Sequence, residues 1–484
     1  MTQSAIRETV APLPEGRERW RWYGPGLLWM LSAVGTGSIL FTPRVGSVYT
    51  YDLFWLLLIV TVFMWVMIRE MARYTIVTGR TMLDGMNSLK GPKGWAVWLI
   101  FVPQLLAAAV GIAGLSAVVG SAFALRLPGG NTLYAELTLW SCVLLTTTGQ
   151  YNRIERVSRY MAIVLMLVAV AAAVAVFPAL PSLLEGLTFQ WPDEPDLYVI
   201  APWIGTILAG SMGIVWFSYW TATRGYGGGL TGRKEETDDE QPASTRPTRV
   251  KTAGPESQEH NDSARTAQLK SWLSIMSRAA GLGIVGGFVV ITAFLILGAE
   301  LLAPQGIVPE GTDVASDLTR LFSEVWGEPG RYLILLAIVV AIGGSVLANQ
   351  DGWGRSFADM TLILSRDQRR RQRGWAYHVL RRLGRITGQS MLKRRNLKRL
   401  FIITVTGIVP AVIVLLFKDP VKVMSASGII AAVHTPFIVI TALLVNLLRL
   451  PRALRPNLLY VLLMAMAGLF YLGFAAVYFW SLGG

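Results

Sequence analysis

The chain has 484 residues, 53% of them apolar and only 15% charged, whereas an ordinary soluble domain carries about 25% charged residues. Mean hydropathy is +0.48, and the apolar residues gather into runs of roughly 20, the length that crosses a bilayer's hydrocarbon core, so a soluble globular protein is excluded. The formal net charge of +14 falls in loops beside apolar runs, which is a membrane pattern, and no nucleic-acid partner is expected.

Residues 1–22 carry Arg17, Glu18, Arg19 and Arg21 without the apolar core of a signal peptide, and read as a cytoplasmic tail. Apolar runs then predict an all-α integral membrane protein of about eleven transmembrane helices. The spans fall near 25–48, 53–75, 94–124, 132–149, 158–179, 199–222, 275–303, 331–350, 400–417, 422–447 and 457–480. They form a single membrane domain, with helices 1–6 over 23–223 and helices 7–11 over 271–484.

The first span is interrupted by Gly35-Thr36-Gly37-Ser38, two glycines and two hydroxyls at mid-depth. Unwound backbone at that depth must line a cavity or bind something. In the third span Gln104 follows Pro103, a weaker polar signal, and the lone Cys142 in the fourth excludes an intrachain disulfide. The sixth span repeats the interruption with Gly205, Gly210, Ser211, Met212 and Gly213. Interrupted helices five spans apart point to a 5+5 inverted repeat plus one extra helix, with broken helices 1 and 6 around the substrate.

Residues 224–270 open on glycines, run through acids and a Pro/Ser/Thr/Arg mixture, and read as a disordered cytoplasmic loop. The residues 304–329 show a helical pattern in Val314, Leu318, Leu321 and Phe322 that suggests a short cap. The eighth span is expected to end at Asn349, Gln350 and Asp351, and a basic cytoplasmic loop at 355–399 follows. Between Arg366 and Arg399 it holds thirteen Lys and Arg against the single acid Asp367, and it is a candidate for an amphipathic helix on anionic lipid. In the tenth span His434 lies just before Pro436, either a metal ligand or proton carrier or a histidine hydrogen-bonded to a neighbouring helix.

Loop charge orients the chain. Arg73 and Arg80, then Arg153, Arg156 and Arg159, then the basic loop, then Arg449, Arg452 and Arg455 occupy alternate loops, with acid-rich loops around Asp193 and Asp313 between them. The positive-inside rule therefore puts the N-terminus in the cytoplasm of a multi-pass protein of the cell membrane.

Tyr23-Gly24-Pro25-Gly26 opening span 1, Arg73 to Gly79 closing span 2, and His434-Thr435-Pro436-Phe437 in span 10 together resemble the natural-resistance-associated macrophage protein (Nramp) family of metal ion transporters. In that family an Asp-Pro-Gly-Asn motif stands nine residues after the Gly-Pro-Gly, where this chain has Gly35-Thr36-Gly37-Ser38. The resemblance implies the leucine-transporter-like fold of the amino acid–polyamine–organocation superfamily and proton-coupled movement of divalent metals. It also places the family's metal-binding Asp on Gly35, its Asn on Ser38, its Met-Pro-His on Met212-Gly213-Ile214, and its helix-10 Gln on His434.

The expected substrate site is therefore Gly35, Thr36, Gly37, Ser38, Ser211, Met212, Gly213 and His434, with Met212 and His434 as metal ligands and His434 and Asp351 on a proton pathway. A secondary transporter of a cation is the leading expectation, with no cofactor and no enzymatic activity. A transporter of a small organic solute on the same fold and a non-transporting sensor or scaffold are the alternatives.

Overall fold

The computed structural model describes residues 9–24, 26, 29, 30, 35, 37–149, 152–230 and 255–483, and they are almost wholly helical. Thr36 and the segment 231–254 lie outside the described residues. Eight helical stretches among them are long and apolar enough to cross a membrane, corresponding to spans 2, 3 and 6 to 11. Helix Gly130–Thr148 of span 4 and the apolar part Tyr160–Ala175 of span 5 lie outside that set. Leu144, Leu167, Leu416 and Trp480 stand exposed on outer faces, as apolar side chains facing hydrocarbon do. The chain is an integral, multi-pass membrane protein.

Helix Phe54–Thr78 of span 2 stops where Gly79 turns left-handed, at φ 68°, and returns its N–H to the Thr75 carbonyl. Near that end Glu70 is fully buried and paired with Arg69 and Arg73. Arg73, expected in a loop, is thus inside a helix, because the Glu70 carboxylate and the Leu454 carbonyl, 3.1 Å away, satisfy its guanidinium. The same cluster reaches span 10 through Asn446, whose amide donates to the Glu70 carbonyl at 2.9 Å, and span 11 through Tyr460, whose ring lies 3.5 Å from the Arg69 guanidinium.

Span 7 is the long helix Pro255–Leu297. It begins inside the segment expected to be disordered through residue 270, because Leu269 and Trp272 are buried and Gln268 and Trp272 both donate to the Ala11 carbonyl, at 2.8 and 2.9 Å. The Trp22, Tyr226 and Trp272 rings cluster beside that contact. Burial raises the Tyr226 pKa, so its hydroxyl stays protonated and donates to the Trp22 carbonyl.

Helix 7 grips helix 1 at two heights through glycines. A Cβ on Gly26 would overlap the Ala279 carbonyl and one on Gly283 the Gly26 carbonyl; at the other height the clashes are Gly46 with Leu295 and Gly298 with Pro43. Small residues let membrane helices approach to backbone contact in this way.

Span 8 does not end at Asn349-Gln350-Asp351. Helix Gly343–Leu364 carries them inside it, since Gln350 donates to the Thr406 carbonyl at 3.0 Å and Asp351 is paired with Arg355 and Lys398. Helices Trp375–Thr387 and Arg394–Ile403 follow.

Candidate functional site

Helix 6 is broken. Helix Leu197–Thr206 ends, Leu208 takes left-handed angles of φ 57° and ψ 44°, Gly210 stands at φ 62°, and helix Gly210–Arg224 begins anew. A non-glycine residue in that region is strained, and full burial of Leu208 holds it there. The break leaves the last carbonyls of one half-helix and the first amides of the other without helical partners, and sets a negative and a positive dipole end side by side.

Helix 1 meets that break. Gly35 stands in a turn, Gly37–Phe41 makes one wide π-turn, and helix Thr42–Tyr49 continues. A Cβ on Gly37 would overlap the Thr206 carbonyl, so only glycine permits the two interruptions to touch. The Gly35 carbonyl accepts from the Ile39 amide at 2.9 Å and the Gly37 carbonyl from the Thr42 hydroxyl at 2.7 Å. Thr42 in turn accepts from the Trp203 indole at 3.0 Å.

A cavity of about 280 Å³ begins between these breaks, where Gly35, Gly37, Ser211, Met212 and Gly213 line it. It passes Trp216, Tyr219 and Trp220 and reaches Asp351, Arg355 and Thr223 at the end bearing the basic loop. Thr223 and Arg355 are exposed, so the cavity is open there. The opposite end is shut: Arg44 pairs with Glu310 at 2.5 Å, the Asp196 amide donates to the Tyr49 hydroxyl at 2.7 Å, and Trp203 bonds Thr42.

Of the expected site residues, Ser38 and His434 are buried and do not line the cavity, and Thr36 lies outside the described residues. His434 bonds Gln104 through Nδ1 at 2.5 Å and the Leu99 carbonyl through Nε2 at 3.1 Å. Gln104, which does line the cavity, also bonds the Ser211 hydroxyl at 2.9 Å. It is the residue that sequence reasoning undervalued: a lone amide in an apolar span gives little signal, and its partners lie 107 and 330 residues away.

Asp351 is the sole carboxylate lining the cavity among the described residues, and Arg355 and Lys398 already neutralise it. Among the described residues no group of three or more His, Cys, Asp or Glu side chains could hold a metal ion. The break end therefore offers, among the described residues, hydroxyls, amides, carbonyls and the Met212 thioether, with no formal charge.

A manganese transporter of Eremococcus coleocola, in a mutant form, superposes with a TM-score of 0.62 at 14% identity, over 99% of this chain and 90% of that one. A nucleobase-cation-symport-1 family transporter in a closed conformation with bromovinylhydantoin bound reaches 0.50 at 12% identity, over 99% and 95%. These likenesses show the leucine-transporter-like fold expected from the sequence. A divalent metal cation transporter of Aeromonas hydrophila is 25% identical over 189 residues, 38% of this chain and 45% of that protein. An uncharacterised protein of Pasteurella multocida is 22% identical over 181 residues, 35% and 41%. The chain thus spans less than half the length of these curated relatives in the matched segments. The family model natural resistance-associated macrophage protein-like matches residues 26–350, well over half of the chain. With both broken-helix segments inside that match, the chain belongs to the Nramp family.

Proposed function

We propose that the chain is a secondary active transporter that moves a cation by alternating access, and that the cation keeps part of its water when bound. The carrying observation is the cavity itself, which starts between two touching helix breaks, opens at one end and is shut at the other. Removing the whole hydration shell of a divalent ion in a low-dielectric site costs more than neutral dipoles return, and a carboxylate ordinarily offsets it. Gly35 supplies none. Retained water lets the hydroxyl and carbonyl oxygens act on the ion at second hand by accepting its hydrogen bonds, and Met212 adds a soft contact that suits a transition metal.

The relatives named for manganese and divalent metal support a cationic substrate. In proteoliposomes the wild type is expected to take up magnesium or manganese down an imposed gradient, and Ser211→Ala to raise KM about tenfold, the loss of one hydrogen bond to a charged ligand. Absence of flux of either ion under any gradient would sink the reading. The Trp216, Tyr219 and Trp220 wall favours a second reading, a small organic solute, in which ligand binding is indifferent to metal chelation.

The basic segments support a cytoplasmic N-terminus and an open face toward the cytoplasm of a cell membrane. Helix Trp375–Thr387 supports an anionic-lipid contact at that face. Its Trp375, Val379 and Ile386, exposed by 64, 45 and 73%, fall on one stripe, bordered on one side by Leu380 and Leu383 against the protein and on the other by Arg381, Arg382 and Arg385. In vesicles containing phosphatidylglycerol, a nitroxide at Ile386→Cys in a Cys142→Ser background should collide more with oxygen than with a water-soluble nickel chelate. A label at Arg381→Cys should show the reverse preference, and identical behaviour at the two positions would refute the lipid contact.

A further inference from the structure

The Gln104 side chain sits on span 3, fully buried, at the meeting point of spans 3, 6 and 10 and on the cavity wall. Its hydrogen bonding is fixed by a chain of chemical necessity. The Leu99 carbonyl can only accept, so the His434 nitrogen 3.1 Å from it, Nε2, carries the proton. In a neutral imidazole Nδ1 is then an acceptor, and the Gln104 atom at 2.5 Å must be the amide nitrogen. The second hydrogen of that nitrogen goes to the Ser211 hydroxyl at 2.9 Å. Both donors are committed, and Oε1 is left buried without a partner.

An unpartnered buried carbonyl oxygen costs free energy unless something at the site supplies a donor or a positive charge. On the wall of a cavity, an orphaned acceptor is a place where a ligand or its water can complete the bonding. Three features point to what it takes. Among the described residues no lining carboxylate stands at this end of the cavity, the ion-paired Asp351 lies toward the open end, and the neighbouring half-helix C-terminus presents further carbonyls.

Deepening the transport reading above, and resting on it, the geometry points to Gln104 Oε1 as a specificity-determining acceptor of the substrate site, receiving a hydrogen bond from a water molecule of a hydrated metal cation. His434 acts on the substrate through Gln104: with Ser211 it takes both amide hydrogens, which leaves the oxygen as the uncommitted polar atom of this lining side chain. The site then favours ligands that bring donors or positive charge and disfavours anions, although the first turn of helix Gly210–Arg224 by itself would welcome an anion.

The test is magnesium and manganese uptake by the full chain in proteoliposomes, comparing wild type, Gln104→Met and Gln104→Glu. Gln104→Met keeps length and approximate volume without an acceptor, and it should raise KM for magnesium about tenfold while maximal rate changes much less. Gln104→Glu keeps an acceptor and adds charge, so it should lower KM for magnesium below the wild-type value. Should Gln104→Met fail to fold by its melting profile, Gln104→Glu alone decides. An unchanged KM in Gln104→Glu, or an equal rise in both variants, overturns the assignment while leaving the transport reading intact, whereas a wild type that moves neither ion removes both.

Discussion

Gly205→Ala is expected to abolish flux and to lower the melting temperature of the purified protein. Gly205 lies one turn ahead of the helix 6 break, where helix Leu197–Thr206 crosses helix Pro420–Arg449. A Cβ at 205 would overlap the Gly428 carbonyl oxygen and crowd the Ala432 amide at 2.9 Å, and a Cβ at Gly428 would in turn meet the Pro202 backbone at 2.7 Å. These neighbours are backbone, with no rotamer to move aside, so the two helices must separate. Overpacking of this kind costs about 1–3 kcal/mol, and the separation opens precisely packed backbone under the substrate cavity. Gly473→Ala, where an added Cβ meets nothing, is the control and should transport as the wild type does. Normal flux in Gly205→Ala would show that the crossing is looser than its backbone contacts require.

The second large effect is expected from Glu70→Ala. The carboxylate is fully buried between the Arg69 and Arg73 guanidiniums. Arg69 also donates to Ser277 of helix 7 at 3.0 Å, so the cluster ties spans 2, 7, 10 and 11 together. Removing one partner of a buried ion group strands the remaining charge, at a cost of about 3–5 kcal/mol. Thermal unfolding in detergent should show a fall of that size. Adding Arg73→Met should restore part of the loss, because it withdraws one of the two uncompensated charges; a double variant no better than Glu70→Ala would argue against the electrostatic origin.

The helical fold and its two interruptions were legible in the sequence because hydropathy and mid-span glycine are local signals. Their finer roles were not. Gly205, one of the glycines that interrupt the sixth span, serves to bring helix 10 close, and the unwinding is carried by Gly210 together with Leu208, whose left-handed backbone no residue-type rule anticipates. Charge misled for a related reason. Arg73 and Asp351 read as loop and helix-end residues because a buried charge needs its partner to be visible, and Leu454 and Lys398 are distant in sequence. Gln104 gives only a weak signal in the sequence, since only the fold reveals that both its amide hydrogens are spoken for.

The two glycine grips between helix 1 and helix 7 lie on either side of the helix 1 interruption, and this makes helix 7 a splint. A hinge bridged by a splint cannot swing freely: one half of helix 1 moves only if helix 7 bends with it or one grip lets go. Helix 7 itself widens into a π-turn at Gly298–Leu302, at the Pro43 grip, where its own hydrogen-bond ladder is already loosened. In the proposed transport cycle that turn is where the supporting helix can give, and stiffening it is expected to slow the cycle without touching a single residue of the cavity wall.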